Sequence, residues 1–204
     1  MGKKRIESEI KRKNCIVDPD GIFGGKCVKS LKELKKNINH CRGLGLEIVL
    51  TQGSWDLVHI GHARYMKQAK DHGDILIVGV DSDKKIRDRK GPDRPIVPEN
   101  ERMEMITHLR YVDLAYVKPH DAPKWHLIKA IRPDVLVATK ETYNDSQIKE
   151  LKKYCGKVVV LEPQATTSTS AKIRRLQITT AKKLEENLRP KIIKTIEEVL
   201  NSMR

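Results

Sequence analysis

The residues best suited to chemistry lie in one run, Thr51-Gln52-Gly53-Ser54-Trp55-Asp56-Leu57-Val58-His59-Ile60-Gly61-His62. It follows the apolar Ile48-Val49-Leu50 and leads into an amphipathic segment. Gly53 permits a turn that a side chain would block, and backbone N–H groups there and at the start of the next helix can point at a phosphate. His59 and His62 are spaced so that both imidazoles face the same side of a first helical turn. Two imidazoles beside a helix N-terminus can donate to phosphoryl oxygens as negative charge builds on them, which is electrostatic stabilisation without a nucleophile. A lone histidine reads more simply as packed or solvated. The spacing His-x-Gly-His, straight after a glycine turn and a buried strand, favours the functional reading.

Positioning such a pair requires strand–turn–helix units, and the chain supplies them. Near-continuous apolar runs at 48–51, 75–80, 114–117, 135–137 and 158–161 predict strands buried on both faces of a parallel sheet. Between them, helices are expected at about 60–72, 98–109, 123–131 and 144–154, and another begins behind Ser30 and ends at Gly43. The alternation predicts a doubly wound, Rossmann-like α/β domain of about five parallel strands with flanking helices, its ligands bound beyond the carboxyl ends of the strands. Residues 1–29 read as a basic, loosely docked extension, 30–176 as the domain, and 177–204 as a C-terminal helical extension interrupted at Pro190. Within that extension Ile192, Ile193, Ile196, Val199 and Leu200 recur at helical spacing, an apolar stripe suited to pairing with a second copy as a homodimer or to folding back on its own domain.

The 204 residues carry 41 Lys and Arg against 27 Asp and Glu, a formal charge of +14 that favours anionic partners. Aromatic residues are only 4%, so the core must be aliphatic and bases would find few stacking platforms. With the basic residues spread along the chain, a nucleic-acid-binding role is disfavoured. No apolar run reaches the roughly 18 residues of a membrane span, and the basic start leads into no apolar signal segment. The four cysteines are dispersed without a CxxC pair, which reads as reduced thiols in a cytoplasmic protein.

These motifs resemble the cytidylyltransferase-type nucleotidyltransferase superfamily, whose signature runs roughly G-x-F-D-x-x-H-x-G-H. The resemblance covers about residues 30–176 and is nearest to the adenylyltransferase domains of ADP-heptose synthases, with glycerol-phosphate cytidylyltransferases more distant. It takes in Gly73-Asp74, Val78 to Asp83, Lys90 to Pro95, Arg110 to Asp113, Arg132 to Val137 and the closing Ser168-Thr169-Ser170 with Ile173. It implies a nucleotidyl transfer from ATP or CTP, with Mg²⁺, to a phosphorylated sugar or polyol. It also implies roles. His59 and His62 contact the nucleotide's phosphates, and Lys90 neutralises the reacting phosphates from a mobile loop. Gly53, Ser54, Trp55 and Asp56 form the loop around the α-phosphate. Arg102 and Arg110 line the nucleotide site, Ser168, Thr169 and Ser170 grip the β- and γ-phosphates, and Asp81 and Arg94 face the substrate. By themselves Lys90 and Arg94 read as a solvated basic loop, Arg102 as a helix-surface charge, and the hydroxyl trio as an N-cap. Two departures from the family pattern stand out: Gln52-Gly53-Ser54-Trp55 in the loop, and Ala138 to Tyr143 where ADP-heptose synthases carry G-G-D-Y. The second lies where the base is expected.

Overall fold

A computed structural model describes residues 25–140, 142–162 and 169–202. Six parallel strands form one sheet: β1 (Cys27–Val28), β2 (Ile48–Gly53), β3 (Ile75–Asp81), β4 (Leu114–Lys118), β5 (Val135–Thr139) and β6 (Lys157–Leu161), in the order β1-β4-β3-β2-β5-β6. The helices are α1 (Leu31–Gly43), α2 (Ile60–Lys70), α3 (Asp83–Lys90), α4 (Glu99–Thr107), α5 (His126–Ile131), α6 (Asp145–Leu151) and α7 (Thr169–Ser202). From β2 the chain continues to β3 on one side, while β5 lies on the other, so the strand order reverses at β2 and a crevice opens at the carboxyl edge there.

Two cores flank the sheet. Leu34, Ile38 and Cys41 of α1 pack with Leu127, Ile128 and Ile131 of α5 on one face. Tyr65, Met66 and Ala69 of α2 pack with Met103 and Ile106 of α4 on the other. All but the first residue of β3 is buried, which is why its sequence reads as an unbroken apolar run and not as an alternation. Carboxylates of Asp74, Asp113 and Asp134 accept the backbone N–H groups of Glu47, Leu76 and Ile48 at 2.8, 2.7 and 2.8 Å, tying the amino ends of the central strands. Ser30 caps α1 by accepting the Glu33 N–H at 3.2 Å.

Three expectations are corrected. The sheet has six strands, because Cys27–Val28, within the segment expected to be a loose extension, pairs with β4 and buries Val28. A two-residue strand is too short to leave a period. The segment Asp83–Lys90, expected to be loop, is helix α3; with Ile86 its one apolar residue, it shows no amphipathic repeat. Helix α7 runs through Pro190 without a break, so the loss of one N–H there is outweighed by the turns on either side. The chain divides into two compact units, Met1–Ala165 and Thr166–Arg204, and the boundary expected at 176/177 falls within α7. Cys27, Cys41 and Cys155 are free thiols, and Cys15 lies outside the described residues.

Candidate active site

The strand β2 ends at Gly53, where a Cβ would stand 3.2 Å from two atoms of the Trp55 indole, so a side chain there would press on that ring. Trp55 and Leu57 then take left-handed backbone angles, φ 52° and 48°, on either side of Asp56. Such geometry in non-glycine residues costs of order 1–3 kcal/mol each and persists only where surroundings enforce it. Here the Trp55 Nε1–H donates to the Gly79 carbonyl at 3.0 Å, with the ring buried against Tyr65. Asp56 accepts the N–H groups of Ile96 and Val97, both at 3.0 Å, and the Arg94 Nε–H at 2.9 Å. Burial alone would raise the Asp56 pKa; those backbone donors and Arg94 outweigh it and hold the carboxyl below its ordinary 3.8.

His59 is the N-cap of α2: its Nδ1 accepts the Gly61 N–H at 3.1 Å, and His62 Nδ1 accepts the His59 N–H at 3.2 Å. The two rings lie 4.1 Å apart, and Trp55 meets His62 edge-on at 5.6 Å. With Nδ1 accepting in each ring, the neutral imidazoles carry their protons on Nε2. The helix N-terminus and a pair of Nε2–H donors therefore stand together at the carboxyl edge, an arrangement suited to developing negative charge on a phosphoryl group.

The basic helix α3 supplies cations to the same edge. Arg89 Nη2 donates to Ser54 Oγ at 2.8 Å and to Asp81 Oδ2 at 3.0 Å. Lys90 is the exposed last residue of α3; partial burial of its ammonium, and then Arg89 and Arg94 nearby, lower its pKa. Asp81 is buried and also pairs with Lys118 at 2.6 Å. Its desolvation is outweighed by Lys118 and then Arg89, so its pKa is lowered. Lys118 in turn donates to Gln52 Oε1 at 3.1 Å, and Gln52 Nε2 donates to the Tyr143 hydroxyl at 2.5 Å.

Comparison with known proteins agrees with this geometry. The family model described as cytidylyltransferase-like matches residues 50–196. The chain belongs to the cytidylyltransferase-like family. It is similar to the bifunctional protein HldE of Methylobacillus flagellatus, with 33% identity over 86% of this chain and 35% of that protein. The protein of the same name from Helicobacter pylori strain HPAG1 is 37% identical over 76% of this chain and 36% of its own length. The chain thus spans about a third of these curated relatives. Among solved structures, the lipopolysaccharide core biosynthesis protein of Thermoplasma volcanium superposes with a TM-score of 0.53 at 27% identity, covering 58% of this chain and 98% of that one. A pantoate-β-alanine ligase from Francisella tularensis, at 16% identity and a TM-score of 0.51 over 66% of each chain, shares the fold.

Within this cytidylyltransferase-like site, the expected residues sort by what they touch. Gly53, Ser54, Trp55, Asp56, His59, His62, Asp81 and Arg94 take part in the contacts above. Three of the expected residues are held by the protein's own groups in this structure. Arg102 is 1% exposed, and its guanidinium donates to the carbonyls of Val97 (2.8 Å), Ser54 and Asp81 (2.8 Å) and to Asp83 Oδ1 (2.6 Å). It braces the loop from inside, where only a guanidinium's several donors can serve so many acceptors. Arg94 lies against Asp56 (Nη2 2.7 Å), and Asp81 lies under its two cations. Arg110 is exposed in the turn before β4, at the amino edge of a parallel sheet, the end opposite the site. Ser168 lies outside the described residues, while Thr169 and Ser170 open α7 in the second unit. Arg89, Lys118 and Tyr143 were not singled out as site residues. The available signals were Lys118, a charge ending the apolar run Leu114 to Val117, and Tyr143, at the end of the segment that departs from the family pattern.

Proposed function

We propose that this protein transfers a nucleoside monophosphate from ATP or CTP to a phosphorylated sugar or polyol, a heptose-phosphate-like acceptor being favoured, with release of pyrophosphate. The observation that carries the reading is the His59/His62 pair, whose Nδ1 atoms serve the helix start and leave Nε2–H as the donor of each ring. An oxygen of the acceptor's phosphate attacks the α-phosphorus in line, and pyrophosphate departs toward Lys90. No covalent enzyme intermediate is required; positioning and charge neutralisation lower the barrier. The named relatives of bacterial origin and the lipopolysaccharide core protein support the sugar-phosphate acceptor. A glycerol-phosphate or other small alcohol-phosphate acceptor is the second choice within the same chemistry.

Mg²⁺ is expected to accompany the triphosphate. Among the described residues no group of three His, Cys, Asp or Glu side chains is placed to hold a metal ion, and both Asp56 and Asp81 are engaged by cations. The fit is therefore to an ion carried by the triphosphate and water, with no protein cage. Among the described residues no helix is long and apolar enough to cross a membrane; we place the protein in the cytoplasm on its dispersed thiols. We also propose a homodimer formed through α7. A pyrophosphate-release screen of ATP, CTP, GTP and UTP against sugar and polyol phosphates tests the reaction. Release that requires both a nucleotide and a phosphorylated acceptor supports it; none with any pair refutes it.

A further inference from the structure

We propose that Lys118, together with Tyr143, is the specificity-determining contact for the acceptor's phosphate group. This rests on the nucleotidyl-transfer reading and assigns residues to the acceptor half of that site. Asp81 and Lys118 end two adjacent strands and Gln52 is the penultimate residue of the third, with Asp81 directly beside Lys118 and Gln52 beside Gly79. Side chains two apart along a strand share a face. Ile77 precedes Gly79 and Asp81 in this way, and Leu114 and Tyr116 precede Lys118; all three apolar residues belong to the core shared by α1 and α5. The polar cluster therefore caps that core at the carboxyl edge, beside the crevice where strand order reverses. Gly79 makes the room for it: a Cβ there would meet Leu127 Cδ2 at 2.8 Å, Gln52 Cβ at 3.0 Å and Lys118 Cδ at 3.3 Å.

The chemistry of the cluster points to an oxyanion. The Lys118 side chain is 12% exposed, and its ammonium gives one proton to Asp81 and one to Gln52; a third remains. Tyr143, brought in from beyond β5, accepts from Gln52 Nε2 and keeps its own O–H to donate. One carboxylate, Asp81, answers both Lys118 and Arg89, so the cluster holds more positive than negative charge. A buried ion pair of this kind adds little stability over an apolar trio of the same size. An unfilled pair of donors with excess positive charge suits a phosphate dianion. Position agrees, because Arg89 joins Asp81 to Ser54 in the loop expected at the α-phosphate. In-line attack requires the two phosphates to lie within roughly 3–3.5 Å of each other's reacting atoms.

The test uses the full chain saturated with an α,β-methylene nucleoside triphosphate and Mg²⁺, titrated with inorganic phosphate and followed by thermal shift. Lys118→Met is expected to weaken phosphate binding about ten-fold, the loss of one charge-assisted hydrogen bond. Tyr143→Phe should weaken it less, Lys118→Arg should recover part, and nucleotide affinity should stay within about two-fold in both Lys118 variants. If Lys118→Met does not fold, Tyr143→Phe carries the test. Equal phosphate binding by wild type and variants overturns the proposal, as does parallel loss of phosphate and nucleotide, which marks a structural role. Acetate bound as tightly as phosphate overturns the phosphate assignment. Failure of the wild type to bind the nucleotide analogue would instead bring down the nucleotidyl-transfer reading itself, and this proposal with it.

Discussion

His59 Nδ1 holds the Gly61 N–H while its Nε2 is the donor proposed for the phosphate, so stability and turnover can be separated at this residue. His59→Asn keeps an acceptor at the N-cap and is expected to melt within a few degrees of wild type. His59→Ala gives up the cap and costs about 1 kcal/mol of stability. Both should lose turnover by about 2.7–4 kcal/mol in barrier, the usual effect of removing one donor to developing charge. Near-wild-type kcat in a folded His59→Asn protein would sink the proposed role. Asp56 makes a second prediction, about pH. Its folded pKa is lowered, as is that of Asp81, so each stabilises the fold above the ordinary 3.8 and that contribution is lost as pH falls through the lower folded value. Urea unfolding should therefore show stability falling steeply below about pH 4, and less steeply in Asp56→Asn. An identical acid slope in the variant would contradict the assignment.

Elements place those residues, and their contacts explain which boundaries were legible. The helix behind Ser30 was readable because Leu34, Ile38 and Cys41 repeat every three or four residues and bury together. The helix α3 was not, since it is held by Ile86 and by the salt link from Arg89 to Asp81. At the start of β6, Gly156 lies so close to its neighbour that a Cβ would stand 2.6 Å from the Asp134 carbonyl oxygen. Backbone cannot give as a side-chain tip can, so Gly156→Ala should destabilise by about 1–3 kcal/mol. Chemical denaturation measures this; an unchanged midpoint would mean that the β5–β6 edge relaxes freely. Because Gly156 stands at the amino edge of the sheet and the histidines at the carboxyl edge, turnover of the folded fraction should be unaltered.

At the scale of the molecule, α7 exposes Leu184, Leu188, Ile192, Ile196 and Val199. They fall on one stripe of the helix, while Pro190 lies on the opposite side. An exposed stripe of this length is an association surface more often than a solvated one. Residues 172–183 carry five basic side chains and no acid, whereas 193–202 carry one Lys and two Glu. Antiparallel pairing of two copies near Leu188 sets the basic segment of each against the acidic one, and parallel pairing sets like against like. Light scattering should give a dimeric mass for the full chain at tens of micromolar and a monomeric one for Leu188→Glu/Ile192→Glu, with the melting of the α/β unit unchanged. A monomeric wild type would remove the dimer.

What the sequence by itself determined was the architecture and the place of the candidate site in it. Unbroken apolar runs alternating with helical segments specify strands buried on both faces of a parallel sheet, and the glycine turn with His59 and His62 follows the first of them. These are local patterns, carried by spacing along the chain. Only the tertiary structure decided what each charge does. Arg102 and Arg110 look alike as arginines near one helix, yet the first is sealed beneath Ser54 and the second stands at the far edge of the sheet. The union of Gln52, Asp81, Lys118 and Tyr143 joins three adjacent strand ends and the segment beyond β5. No spacing encodes it, because a side chain's partners at a strand end are set by strand order, and strand order is settled only when the sheet assembles.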